Sequence, residues 1–143
     1  MRFVRITVVG QPAPQGSKRF VGTSKAGRGI LIESSKAVKP WREAVKAAAL
    51  EAMAGAAPLD GPLRAVMIFT MPRPKSAKVG DQPCRKPDLS KLIRSTEDAL
   101  TDAGVWADDA RVVALAARKV YPGQHERAQK LPGAWIDVQE VYG

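Results

Sequence analysis

Residues 86–113 read KPDLSKLIRSTEDALTDAGVWADDARVV, and the fold turns on how this stretch divides. Leu89, Leu92, Ile93, Thr96, Leu100 and Ala103 recur at helical spacing, which predicts one amphipathic helix over 88–103. Asp88 follows Pro87 at the helix start, and Gly104 supplies the stop. Asp108 and Asp109 then lead into an apolar run, Val112–Val120, that reads as a strand.

Working outward, Leu63–Met71 (LRAVMIFTM) reads as a central strand, joined to the helix by the Pro/Lys/Arg-rich loop 72–87. Loops of that length inside a compact domain are usually functional or mobile. Pro40 suits a helix's first turn, and WREAVKAAALEAMAG carries strong helix formers to Gly55. Trp41, Val45, Ala48/Ala49 and Ala52/Met53 form its apolar stripe. The first strand alternates over Phe3–Val9, and GQPAPQGSKRF breaks it into a loop. Short strands are expected at 18–21 and 30–33, and a last one at Ala134–Tyr142. Segment 123–133 reads as a mobile hairpin loop with His125 exposed, and Trp41 and Trp106 read as core. Trp135 is a core or dimer-interface candidate. The order implies one domain over 1–143, of α/β (α+β) class, with a small mixed β-sheet and two main helices on one face.

With one cysteine (Cys84) and one histidine (His125), the chain has no internal disulfide and no zinc-ligand spacing. Catalysis, if present, falls to carboxylates and basic residues. No apolar run approaches the roughly 20 residues that span a bilayer, and no signal-peptide core follows the first strand, so a cytoplasmic location is expected. The net charge of +9 favours a polyanionic partner. Its distribution says more. Residues 1–42 carry nine Lys/Arg against one acid, Glu33, whereas Glu97, Asp98, Asp102, Asp108 and Asp109 cluster within thirteen positions.

Such a cluster is either a salt-bridged helix or a cation site on a surface built for a polyanion. Ser90, Arg94, Glu97 and Thr101 share one polar stripe of the helix. Asp88 serves equally as an N-cap or a metal ligand, and Asp108–Asp109 as a turn or a ligand pair. Arg94 with Glu97 and Asp98 is an ordinary helix ion-pair pattern. If Asp88, Glu97, Asp108 and Asp109 converge, their repulsion requires a cation, and oxygen donors suit magnesium. For DNA contact the candidates are Lys18 and Arg19 after Gly16, Arg73, Lys75, Arg85 and Lys86 of the long loop, and Lys91. Solvated basic turns are the rival reading.

The stretch also resembles the signature of the RusA family of Holliday junction resolvases: an Asp-rich helix opening PDLD, a DAL segment, and a DD pair before a strand. GQPAPQGSKRF is similar to that family's Gly/Pro/basic loop, and KPWREAV sits where its first helix begins. The resemblance, from about residue 5 to 120, implies a small α/β homodimer that resolves four-way DNA junctions with magnesium (manganese as a substitute), often encoded in phage or prophage. It implies that Asp88 and Asp109 are catalytic carboxylates and that Arg94 stands where a catalytic lysine is common. One departure matters: the second helix aspartate is Ser90 here. Glu97 is seven residues beyond Ser90, about 20° away around the helix, and is expected to replace the lost carboxylate. The alternative is a branched-DNA-binding protein whose metal site Ser90 has disabled.

Overall fold

A computed structural model describes residues 2–16, 18–23, 29–33 and 36–141, with the side chains of 18–23 and 29–33 outside the description. The elements run β1 (Phe3–Val9), β2 (Lys18–Thr23), β3 (Gly29–Glu33), α1 (Val38–Met53), β4 (Leu63–Thr70), α2 (Leu89–Asp102), β5 (Val112–Val120) and β6 (Gly133–Glu140). Four strands form a mixed sheet in the order β1-β6-β4-β5, and β2 and β3 pair as a separate antiparallel ribbon. β6 is antiparallel to both neighbours, and only β4 and β5 run parallel. This is the expected α+β class, both helices lying over one face of the sheet.

Alternation decides which face is covered. Val4, Ile6 and Val8 of β1 point to the helices, beside Ala134, Ile136 and Val138 of β6 and Leu63, Ala65, Met67 and Phe69 of β4. α1 presents Trp41, Val45, Ala49 and Met53 to this layer, and α2 presents Leu92, Ala99 and Leu100. Ala48 is only half-buried and Ala52 exposed, so the α1 stripe is narrower than the sequence suggests. β6 begins at Gly133 because its backbone passes close to Val8, where any side chain would run into that residue's carbonyl.

Polar side chains inside the core join the layers. The Trp41 indole N–H donates to Thr96 Oγ1 at 3.2 Å in a buried setting. Ser95 Oγ donates to the Ala13 carbonyl at 2.7 Å, and the Gln15 amide donates to the Lys91 carbonyl at 3.0 Å. The loop after β1 is thereby docked along the first half of α2. Trp106 is buried as expected, and Trp135 is half-buried under the Arg127 guanidinium, 4.7 Å from its ring centre. The segment before β6 is better anchored than a mobile hairpin: the Gln129 amide donates to Thr70 Oγ1, and His125 is half-buried with Nδ1 accepting from Arg127 N–H. No helix among the described residues is long and apolar enough to cross a membrane.

Candidate active site

The chain reverses after α2 in a way set by few residues. Gly104 takes φ 73°, the left-handed conformation a helix stop demands, and Val105 N–H returns to the Leu100 carbonyl. Trp106 then inserts its indole, donating to Thr101 Oγ1 at 2.8 Å, while Thr101 itself donates to the Glu97 carbonyl. Backbone bonds between Leu59 and its neighbours Val105 and Ala107 hold the other side of the turn. So anchored, Asp108 and Asp109 emerge beside the second half of α2. Asp108 caps the short 3-10 turn Asp109–Arg111, accepting from Ala110 N–H at 2.7 Å.

Electrostatics shows which acids meet. The Glu97 carboxyl is pushed above its ordinary value by burial first, then by the charges of Asp109 and Asp98. Asp109 is raised by its hydrogen bond with Asp108, then by burial and by the charges of Asp108 and Asp98. Asp108 is lowered, chiefly by the Ala110 N–H and then by its bond to Asp109. Glu97, Asp98, Asp108 and Asp109 therefore form one group of opposed charges, with Asp108 pushed down and Asp109 pushed up by their mutual hydrogen bond. Nothing comparable arises elsewhere in the described chain.

Asp88 is not in that group. It occupies the N-cap position of α2 with extended backbone, yet its side chain makes no capping bond. Its carboxylate is exposed and lies 3.9 Å from Lys91 Nζ. Nine residues of helix, about 13 Å of rise and about two and a half turns, separate it from Glu97. The helix thus keeps Asp88 and Asp109 at opposite ends of the α2–β5 layer. Ser90 is exposed, on the Glu97 stripe but two turns away.

Around the Asp88 end the basic residues gather. Arg73, Lys75, Arg85 and Lys86 are all exposed on the long loop, and Lys91 is half-buried. Arg73 is partly structural: it donates to the Lys78 carbonyl and sits over the Tyr121 ring. Arg85 donates to Ser76 Oγ at 3.0 Å. Arg94 is exposed and forms no ion pair among the described residues, which leaves its guanidinium open to a phosphate. The Lys18 and Arg19 side chains lie outside the described residues.

The model of the family described as Endodeoxyribonuclease RusA matches residues 10–129 of the 143. The chain belongs to the RusA family. Comparison with curated proteins finds no match. Membership makes this a nuclease of the endodeoxyribonuclease class, and the matched segment spans both the acidic group and the basic loop.

Sequence reasoning missed one residue of the site's frame. Lys119, near the end of β5, donates to the Arg85 carbonyl at 2.9 Å and to the Pro87 carbonyl at 2.8 Å. This ammonium fastens the last turn of the long loop to the sheet and sets where Asp88 starts the helix. The only signal was a basic pair, Arg118–Lys119, inside an apolar strand. Among the described residues, no three His, Cys, Asp or Glu side chains gather closely enough to hold a metal by themselves. The donors present are all oxygens. That suits a hard cation such as magnesium, which takes one or two protein carboxylates and completes its shell with water and phosphate oxygens.

Proposed function

We propose that this RusA-family chain is a magnesium-dependent nuclease that resolves four-way DNA junctions by paired nicks, acting as a homodimer. The observation that carries the reading is the acidic group of Glu97, Asp98 and Asp109 on a chain of net charge +9. Carboxylates forced together on a basic protein cost stability, and such costs concentrate at functional sites. Asp109 and Asp88 are the proposed metal ligands, with Glu97 replacing the carboxylate lost at Ser90 and Asp108 orienting Asp109. A divalent cation bound there would supply positive charge for the developing phosphorane and lower the pKa of the attacking water. Arg94, one turn before Glu97 on the same stripe, neutralises a phosphate oxygen and cannot donate a proton near neutral pH. Lys75, Arg85, Lys86 and Lys91, with Arg73, Lys18 and Arg19, hold flanking phosphates. In-line displacement leaves a 5′-phosphate.

Two copies resolve the separation of Asp88 from Asp109. β5 is an edge strand that runs back along α2, from the Asp109 end to the Lys119–Pro87 end. Its middle is apolar yet open, with Val113 65% and Leu115 41% exposed. A second copy laid antiparallel on that edge sets one chain's Asp109 end against the other's Asp88 end, and two such sites suit two opposed strands.

Nicking of a synthetic four-way junction with magnesium, and none with EDTA, is the expected result. Asp88→Asn and Asp109→Asn each abolish it, but an equal mixture of the two regains single nicks, because one mixed site keeps both carboxylates. A dead mixture places each site within one chain. Unimpaired cleavage by Glu97→Gln removes Glu97 from the ligand set. A wild-type chain that shifts the junction in a gel but never nicks it points instead to a binding protein disabled at Ser90.

A further inference from the structure

The long loop 72–87 does more than carry cations. Between it and the loop after β1 lies a half-open cleft of about 120 Å³, and Pro87, next to Asp88, is part of its wall. Met71, Pro72, Pro74, Pro83 and Tyr121 supply the rest of an apolar lining. Polar groups stand only at its margin: Gln11, exposed, and the cations Arg85 and Lys86.

The cleft is built rather than accidental. Lys119 clamps the carbonyls of Arg85 and Pro87, and the Gln124 amide holds the Asp81 carbonyl at 2.6 Å. Arg73 covers the Tyr121 ring and ties the loop back through Lys78. Met71 N–H is fixed to the Val120 carbonyl. So a sixteen-residue loop rich in proline is held in one shape around this space. Apolar walls make that space a poor host for water and a good one for a flat ring. The Gln11 amide, which can donate and accept together, has no hydrogen-bond partner among the described residues.

We propose that this cleft receives a single unstacked DNA base next to the cut phosphate, with proline surfaces against its faces and Gln11 reading its edge. Arg85 and Lys86 hold the phosphates on either side. The proposal rests on the nuclease reading above and sharpens it in two ways. A base is cheapest to unstack where pairing is already interrupted, as at a branch point, so the cleft favours branched over linear DNA. Contacts to a base edge, absent from the phosphate contacts, make the cut depend on which base enters.

The test uses the full-length protein and four-way junctions carrying 2-aminopurine at successive positions around the branch. Binding in EDTA should raise the fluorescence several-fold at one position on each cut strand. Gln11→Trp, which fills the mouth from an exposed site, should remove the rise at protein concentrations that still saturate the junction in a gel. Gln11→Ala should keep the rise but flatten the preference among the four bases by about tenfold, the scale of one edge contact. A bound junction whose fluorescence stays flat at every position overturns the base cleft and leaves the nuclease reading standing. If no complex forms with any DNA, the nuclease reading fails and the cleft proposal falls with it.

Discussion

The sheet's two edges, β1 and β5, are both rich in apolar residues and are treated in opposite ways. In β1, every second residue is buried: Val4, Ile6 and Val8 face the helices while Phe3, Arg5, Thr7 and Val9 face out. α1 packs directly over it. In β5, positions 113–116 are exposed on both faces, although VVALAA is the more hydrophobic segment. Register places Leu115 beside the buried Ala65, on the helix side of the sheet, yet Leu115 stays exposed. The difference lies in how far the helices reach: α1 packs along β1, whereas α2 meets β5 but leaves its middle, residues 113–116, exposed. The open apolar edge, starting at the acidic pair and ending at Lys119, is the one the proposed dimer would use, whereas β1 is the rim of the core.

Substitutions on the two edges test this contrast. Ile6→Ala, in the covered edge, should cost about 2–5 kcal/mol of unfolding free energy in a urea titration. Leu115→Ala, in the open edge, should stay within about 0.5 kcal/mol when measured at dilutions that dissociate the proposed dimer, and equal costs there would erase the distinction. Leu115→Asp should leave the far-UV circular dichroism intact while halving the mass seen by light scattering, whereas Val9→Asp, at an exposed site of the β1 edge, should leave the mass unchanged. A monomeric wild type would remove the role assigned to β5. Lys119→Met should cost about 1–2 kcal/mol, since two bonds from a charged donor are lost. It should also open the 73–86 loop to trypsin, and β1 has no residue whose loss does this.

The smallest effect is a pH dependence confined to the acidic end of β5. Glu97 and Asp109 hold their protons more tightly in the folded chain than their ordinary values of 4.5 and 3.8 allow. Whatever stability they contribute is therefore intact at lower pH and is lost as pH rises through the folded-state values. Asp108, lowered, works in the opposite sense and loses its contribution in acid. Glu97→Gln should accordingly raise the melting temperature slightly at pH 7, and the gain should vanish below about pH 4. A loss of stability at pH 7 would mean that Glu97 is satisfied rather than strained.

Much of the architecture was legible because it is written in local periods. α2 and its glycine stop follow from 3.6-residue spacing, β1 from strict alternation, and the burial of Trp41 and Trp106 from their places in those patterns. The boundaries moved by a residue or two, as at β6, which runs Gly133–Glu140 rather than Ala134–Tyr142. The composition and the PDL, DAL and DD pieces pointed to the family that the match over residues 10–129 shows.

The site was less legible, because its parts are joined across the sheet. Spacing alone suggested that Asp88, Glu97 and Asp109 could converge, but the residues that feel one another are Glu97, Asp98, Asp108 and Asp109. A rigid helix keeps Asp88 at its far end. Lys119 reads as one more surface cation until the parallel pairing of β5 with β4 carries it under the 85–87 backbone. The cleft lined by Met71, Pro83 and Tyr121 joins residues fifty positions apart in sequence. By itself, then, the sequence determined the elements, their faces and the acidic and basic materials of a nuclease, since short-range sterics and hydrophobic periodicity act along the chain. Which charges meet, which apolar strand stays open and which residues wall the cleft came from the tertiary arrangement. Those depend on strand order and helix placement, and no local pattern records them.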